Sequence, residues 1–140
     1  MTHTVTTVWK GQMKFESDNL SGNNLIIDVG EEEGGSGAGY RPKSMMLSSL
    51  AGCSGLDVAS LLKKMRVKVK DFNIVVNGEL TEEHPKYYHS VSLDYHFYGD
   101  ALNEEKINKA VELSIEKYCG VMAMFKSFAE IKTAIYIHSV

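Results

Sequence analysis

Pro42-Lys43-Ser44-Met45-Met46-Leu47-Ser48-Ser49-Leu50-Ala51-Gly52-Cys53-Ser54-Gly55-Leu56-Asp57-Val58 decides how this chain folds. Pro42 opens a helix, because its fixed φ and missing N–H are tolerated in the first turn. From there Leu47, Leu50, Ala51, Ser54, Val58, Leu61, Leu62 and Met65 recur at three- and four-residue steps. That is one helical stripe over about six turns. Met46, Leu50, Cys53 and Asp57 share the adjacent stripe. Lys63, Lys64 and Arg66 fall at the far end, where cations suit the helix dipole. Small residues crowd the middle (Ser48, Ser49, Ala51, Gly52, Ser54, Gly55) and let another backbone come close. The helix is too long and too apolar for one small sheet to cover. It is expected to be central, with a second chain covering part of it.

Before this helix the chain reads as strands. Val5, Thr7 and Trp9 alternate with Thr4, Thr6, Val8 and Lys10, a two-residue period rich in β-formers. Gln12 to Glu16 reads as the return strand, and Leu25 to Val29 as a third after the turn cluster Ser21-Gly22-Asn23-Asn24. Gly30 to Tyr40 carries five glycines but neither G-x-G-x-x-G nor a terminal Gly-Lys-Ser/Thr. No phosphate cradle is predicted there, only a mobile linker.

After the helix, Phe72, Ile74 and Val76 alternate with Asn73, Val75 and Asn77. Beyond a loop at Thr81 to Pro85, Tyr87, His89, Val91, Leu93, Tyr95 and Phe97 are expected on one face of a strand. Tyr88, Ser90, Ser92, Asp94, His96 and Tyr98 are expected on the other. The pair reads as a hairpin. Asn103 is a good N-cap for a helix whose face carries Ile107, Val111, Ser114, Ile115 and Tyr118. Cys119-Gly120 marks a break, Val121 to Phe128 a further helical turn, and Ile131 to Val140 a closing strand. The order βββ-α-ββ-α(α)-β is that of an α+β chain, without the alternation that builds a Rossmann sheet. One domain over residues 1–140 is expected.

Composition bounds the function. Of 140 residues, 44% are apolar and 24% charged, which excludes global disorder. Fifteen basic residues stand against eighteen acidic ones, for a net charge of −3. No basic excess exists to drive nucleic-acid binding. The run Lys63, Lys64, Arg66, Lys68, Lys70 reads as a helix end followed by a solvated strand edge. No run of eighteen apolar residues and no apolar core of a secretory signal appears, so a cytoplasmic protein off the membrane is expected. His89 and His96 fall on opposite faces of one strand, while His3, His84 and His138 are scattered. With no C-x-x-C or H-E-x-x-H spacing, no metal is predicted. Two cysteines, Cys53 and Cys119, cannot frame a disulfide scaffold. Taken alone, each reads first as a small buried hydrophobe.

Leu50-Ala51-Gly52-Cys53-Ser54-Gly55-Leu56-Asp57-Val58 follows a proline eleven residues before the cysteine, and a second cysteine stands in Tyr118-Cys119. Together these resemble the OsmC/Ohr family in its OsmC-like branch, from about Trp9 to the C-terminus. The resemblance implies an OsmC-like fold and an intertwined homodimer with the cysteine helices packed in the middle. It also implies a peroxiredoxin-like role in oxidative stress, the thiol-dependent reduction of organic hydroperoxides. In that chemistry Cys53 attacks the peroxide O–O bond and becomes a sulfenic acid. Cys119 condenses with it to a disulfide, and an external dithiol reductant restores both thiols without any bound cofactor.

A cysteine of this kind needs a cationic or hydrogen-bonding neighbour. Active peroxidases of the family use an arginine and a glutamate. Here Ser44 and Lys43 stand nine and ten residues before Cys53, where the glutamate is expected. Glu31, Glu32 and Glu33 fill the loop that carries the family arginine, and Gly120 stands where a proline often follows the second cysteine. Arg41 is the nearby arginine and is assigned the activating role, with Lys43 second. Met45, Met46, Leu50 and Phe125 are candidate pocket lining, the core being an equally good place for each. The alternative is an OsmC-fold dimer without peroxidase activity that binds an apolar small molecule at the subunit interface.

Overall fold

The alternation through Trp9 makes a strand, and in the computed structural model, which describes residues 1–140, it is the first of three. β1 (Thr7–Trp9), β2 (Phe15–Ser17) and β3 (Leu25–Ile27) form an antiparallel sheet in that order, with Trp9 opposite Phe15 and Phe15 opposite Ile27. The return strand starts at Phe15, later than the expected Gln12. Gly11 and Gln12 hold φ of 103° and 51°, so the chain turns there, and Lys14 N–H donates to the Gly11 carbonyl at 3.0 Å.

These strands belong to the first of two compact units, Met1–Met46 and Leu47–Val140. Within it, the expectation of a mobile linker at 30–40 is corrected: this loop is tied down around a buried carboxylate. Asp28 accepts from the Ser36 hydroxyl (2.6 Å) and from the backbone N–H of Val29 (2.8 Å), Ser36 (3.2 Å) and Ala38 (3.3 Å). The Ser36 hydroxyl bond leads the pull that brings its pKa down to about 2, against the opposing effect of burial. Glycine is required at position 35, where a Cβ would strike the Val29 carbonyl and lie 2.5 Å from Asp28 Oδ1. The composition marks a loop, and its glycines serve a fixed fold of the backbone.

In the second unit, β4 (Asp71–Leu80) pairs antiparallel with β5 (Tyr88–Gly99), and β5 pairs parallel with β6 (Glu130–Ser139). Val91, Leu93, Tyr95 and Phe97 are fully buried and alternate with half-buried Ser92, Asp94, His96 and Tyr98. Each large apolar side chain removed from water contributes about 1.5–3 kcal/mol. The predicted alternation fails at the start of β5. Tyr88 is buried and Tyr87 is half exposed, the reverse of the expectation. Ser90 pairs with Glu79 and Tyr88 with Leu80, so His89 is an extra residue that flips the faces.

The long helix α1 (Pro42–Lys64) starts in the first unit and runs into the second, where Leu50, Ser54, Val58 and Leu62 form its buried stripe. By length and composition it could span a bilayer, a test that core helices also pass. It ends in a Schellman turn: Val67 N–H donates to the Leu62 carbonyl (2.9 Å) and Arg66 N–H to Lys63 (3.2 Å), with Arg66 at φ 60°. The helix α2 (Glu104–Leu113) is capped by the Asn103 side chain, as expected. A π-helical turn (Ser114–Tyr118) and α3 (Gly120–Lys126) complete the crossover to β6. The fold is thus α+β with the predicted element order. On the outer face of this sheet His138 is not isolated. Its Nε2 lies 3.0 Å from His96 Nδ1, and the pair stacks between Tyr136 and Tyr98.

Candidate functional site

Cys53 sits on α1 one turn before Asp57, and both are half-buried. The i to i+4 spacing sets their side chains on one face of the helix. The second cysteine is delivered by the π-turn. Its extra residue per turn lets Cys119 N–H reach back five residues to the Ser114 carbonyl at 2.9 Å. Cys119 then takes an extended conformation and caps α3, its Sγ accepting from Met122 N–H at 3.3 Å. Both cysteines are free thiols.

Cys119 is buried, and burial is the largest cause that pushes its pKa up to about 11. The Met122 N–H pulls the other way. The neighbouring Cys53 and the charge of Asp57 add to the rise. Cys53 therefore lies against Cys119, and Cys119 is held as a neutral thiol at neutral pH.

Behind the sulfurs runs a buried chain of hydroxyls. Tyr95 OH meets Ser54 Oγ at 2.7 Å, Ser54 Oγ meets Ser114 Oγ at 2.8 Å, and Ser114 Oγ donates to Asp57 Oδ2 at 3.2 Å. Tyr95, Ser54 and Ser114 are fully buried. A carboxylate only accepts, and each hydroxyl has one proton. Ser114 spends its proton on Asp57, so Ser54 must donate to Ser114 and Tyr95 to Ser54. The chain is polarised in one direction, and no buried side-chain nitrogen or oxygen in the protein lacks a partner. Burial also raises the Tyr95 hydroxyl, while its Ser54 bond and the charges of Cys119 and Asp57 act on it in turn.

The remaining predicted residues fall in different places. Arg41, exposed and in the first unit, pairs with Glu32 at 3.8 Å, and Lys43 is exposed in the same unit. Met45 and Met46 also lie in the first unit, Met46 half exposed. Leu50 and Phe125 are fully buried in the core of the second. On the next face of α1, Ala51, Gly52, Gly55 and Leu56 with Phe72 and Ile74 of β4 line an open cleft of about 410 Å³. No group of three or more His, Cys, Asp and Glu side chains comes together to hold a metal. Sequence reasoning missed Ser54, Tyr95 and Ser114 as a site. The available signal was a hydroxyl on each of three otherwise apolar stripes.

A model of the family described as OsmC-like protein matches residues 34–134. Protein YhfA of Escherichia coli strain K12 is 32% identical over 124 residues, covering 88% of this chain and 89% of that protein. A solved structure of a hypothetical protein from Aquifex aeolicus VF5 superposes with a TM-score of 0.87 at 31% identity, covering 100% of this chain and 98% of that one. An organic hydroperoxide resistance protein OsmC from Legionella pneumophila shares the fold, with a TM-score of 0.68 at 17% identity over 96% of this chain and 97% of that one.

Proposed function

The chain belongs to the OsmC-like protein family, and from that premise we propose that it is a two-cysteine thiol peroxidase that reduces organic hydroperoxides. One observation carries the reading: two free thiols, the half-buried Cys53 and the buried Cys119, are neighbours in one core. The family match and the name of the Legionella neighbour support a redox or peroxide-resistance role.

The half-buried Cys53 is the sulfur that peroxide meets. Its thiolate attacks the O–O bond and the sulfur takes one oxygen. The alkoxide leaves and is protonated to the alcohol, and the sulfenate becomes Cys53–SOH. The Cys119 sulfur attacks the Cys53 sulfur, the S–O bond breaks, an S–S bond forms, and the Cys119 proton leaves with hydroxide as water. An external dithiol reduces the disulfide and is itself oxidised. The cleft beside Gly52 and Leu56 offers an apolar seat for the alkyl group. Leu56, three-quarters exposed on α1, suits a contact with a second copy in a homodimer. Arg41 is assigned to favour the Cys53 thiolate in that assembly.

The test is to treat reduced protein with one equivalent of cumene hydroperoxide and to follow intact mass and peptide map, with Cys53→Ser as control. The expected result is a rapid Cys53–Cys119 disulfide that is absent in the variant. Thiols unmodified after minutes would overturn the peroxidase and leave apolar ligand binding at the subunit interface as the function to pursue.

A further inference from the structure

Two-thiol chemistry uses the sulfurs and gives no task to the polarised chain behind them. We propose that Ser114 and Asp57 are positioning residues for the union of the two cysteines: the hydroxyl chain that ends on Asp57 fastens the π-turn carrying Cys119 to the helix carrying Cys53. For its chemistry this rests on the two-cysteine mechanism; its geometry stands apart from it.

Ser114 is the point where the two segments meet. Its hydroxyl bonds Ser54 and Asp57, which lie on consecutive turns of α1, and lies 3.4 Å from the Ser54 carbonyl. Its carbonyl holds Cys119 N–H. Besides their direct contact, the two cysteines are tied by a second route: Cys53 to Ser54 by the backbone, Ser54 to Ser114 by one hydrogen bond, and Ser114 to Cys119 by another. A π-turn is a rare, single-turn departure from regular α-helix, and here it is the turn that presents Cys119. Slipping to regular α-helix withdraws a residue from the turn and swings Cys119 off its line to Cys53. Asp57 sets the direction of the chain, because without its acceptor the Ser114 proton turns back to Ser54, to its Oγ at 2.8 Å or its carbonyl at 3.4 Å, and the direction is lost. Joining two groups depends steeply on their placement, with a misplacement of about 1 Å costing on the order of 100-fold. The step at stake is Cys53–SOH plus Cys119–SH giving the disulfide and water.

The experiment compares wild type with Ser114→Ala, Asp57→Ala and Asp57→Asn. Each protein is equilibrated against mixtures of oxidised and reduced dithiothreitol, and the Cys53–Cys119 disulfide is counted by alkylation and mass spectrometry. The disulfide equilibrium constant is expected to fall about tenfold in Ser114→Ala and Asp57→Ala. Asp57→Asn keeps an oxygen acceptor for Ser114 and is expected to stay within about twofold of wild type. In a second arm, cumene hydroperoxide is added with dimedone present. A Cys53 sulfenic-acid adduct is expected to accumulate in the two alanine variants at an unchanged rate of Cys53 thiol loss, a split that lower stability alone does not produce.

Alanine variants that match wild type in the dithiothreitol equilibrium overturn the proposal. If hydroperoxide leaves wild-type Cys53 untouched while that equilibrium still falls, the peroxidase fails and the positioning role stands. Should Ser114→Ala not fold, Asp57→Ala against Asp57→Asn decides alone: a tenfold gap supports the role and equal constants refute it.

Discussion

Asp28 and Cys119 are two buried ionisable groups, one in each unit, and the protein drives them in opposite directions. Asp28 is met by one hydroxyl and three backbone N–H groups, which bring it down to about 2 despite burial. Cys119 receives one N–H, from Met122, so burial prevails and the thiol rises to about 11. Burial alone does not set the charge of a group; the number of donors aimed at it does. The first unit uses an anion to organise a loop. The second keeps a sulfur neutral beside its partner.

The largest expected effect comes from Gly35→Ala. The new methyl meets the Val29 carbonyl and Asp28 Oδ1, so the loop must open. A loss of about 2 kcal/mol is expected in urea unfolding. The Asp28 pKa, followed by carboxyl NMR, should climb back toward the ordinary range. An Asp28 that stays near 2 would show that the donors do not depend on this loop geometry.

Next is Tyr95→Phe, which removes the first donor of the hydroxyl chain and leaves Ser54 Oγ with one bond fewer. Its cost is about 1 kcal/mol in the same unfolding measurement.

The pH dependence of stability then separates the two groups. The Asp28 contribution is present above its ordinary pKa of 3.8 and is lost as pH falls from there through about 2. The Cys119 contribution is present below 9.0 and is lost as pH rises through about 11. Asp28→Asn should flatten only the acid arm and Cys119→Ser only the alkaline arm. Either variant flattening both would break the comparison.

The smallest effect is that of Asp57→Asn on the Cys119 thiol. Removing this charge should lower the pKa by a fraction of its rise, because burial is the larger cause. Ultraviolet thiolate absorbance during an alkaline titration measures it. A return to the ordinary thiol range would mean that charge, not burial, holds Cys119 neutral.

Much of the fold was legible in the chain. Pro42 opens α1, Asn103 caps α2, and the two-residue period of β5 continues through Phe97. These are local properties of neighbouring residues. The errors came where one residue changed the frame. His89 is a bulge, so Tyr88 rather than Tyr87 enters the core. Five glycines suggested motion at 30–40, but Asp28 lies outside the glycine run and gathers it by hydrogen bonds. At the site, the cysteines drew notice through their surroundings in sequence. Ser54 and Ser114 did not, since a serine on an apolar stripe looks like a lapse in the pattern until its partner is known.

By itself the sequence determined the order of the elements, the helix that carries Cys53 and the break that presents Cys119. Periodicity, caps and turn residues act within a few positions, and composition allowed one globular chain. Only the tertiary structure decided that Ser54 meets Tyr95, 41 residues away, and Ser114, 60 residues away. It also decided that Cys119 is neutral. Hydrogen bonds between buried hydroxyls and the raising of a thiol by burial depend on which segments pack together, and packing is settled by the whole core at once.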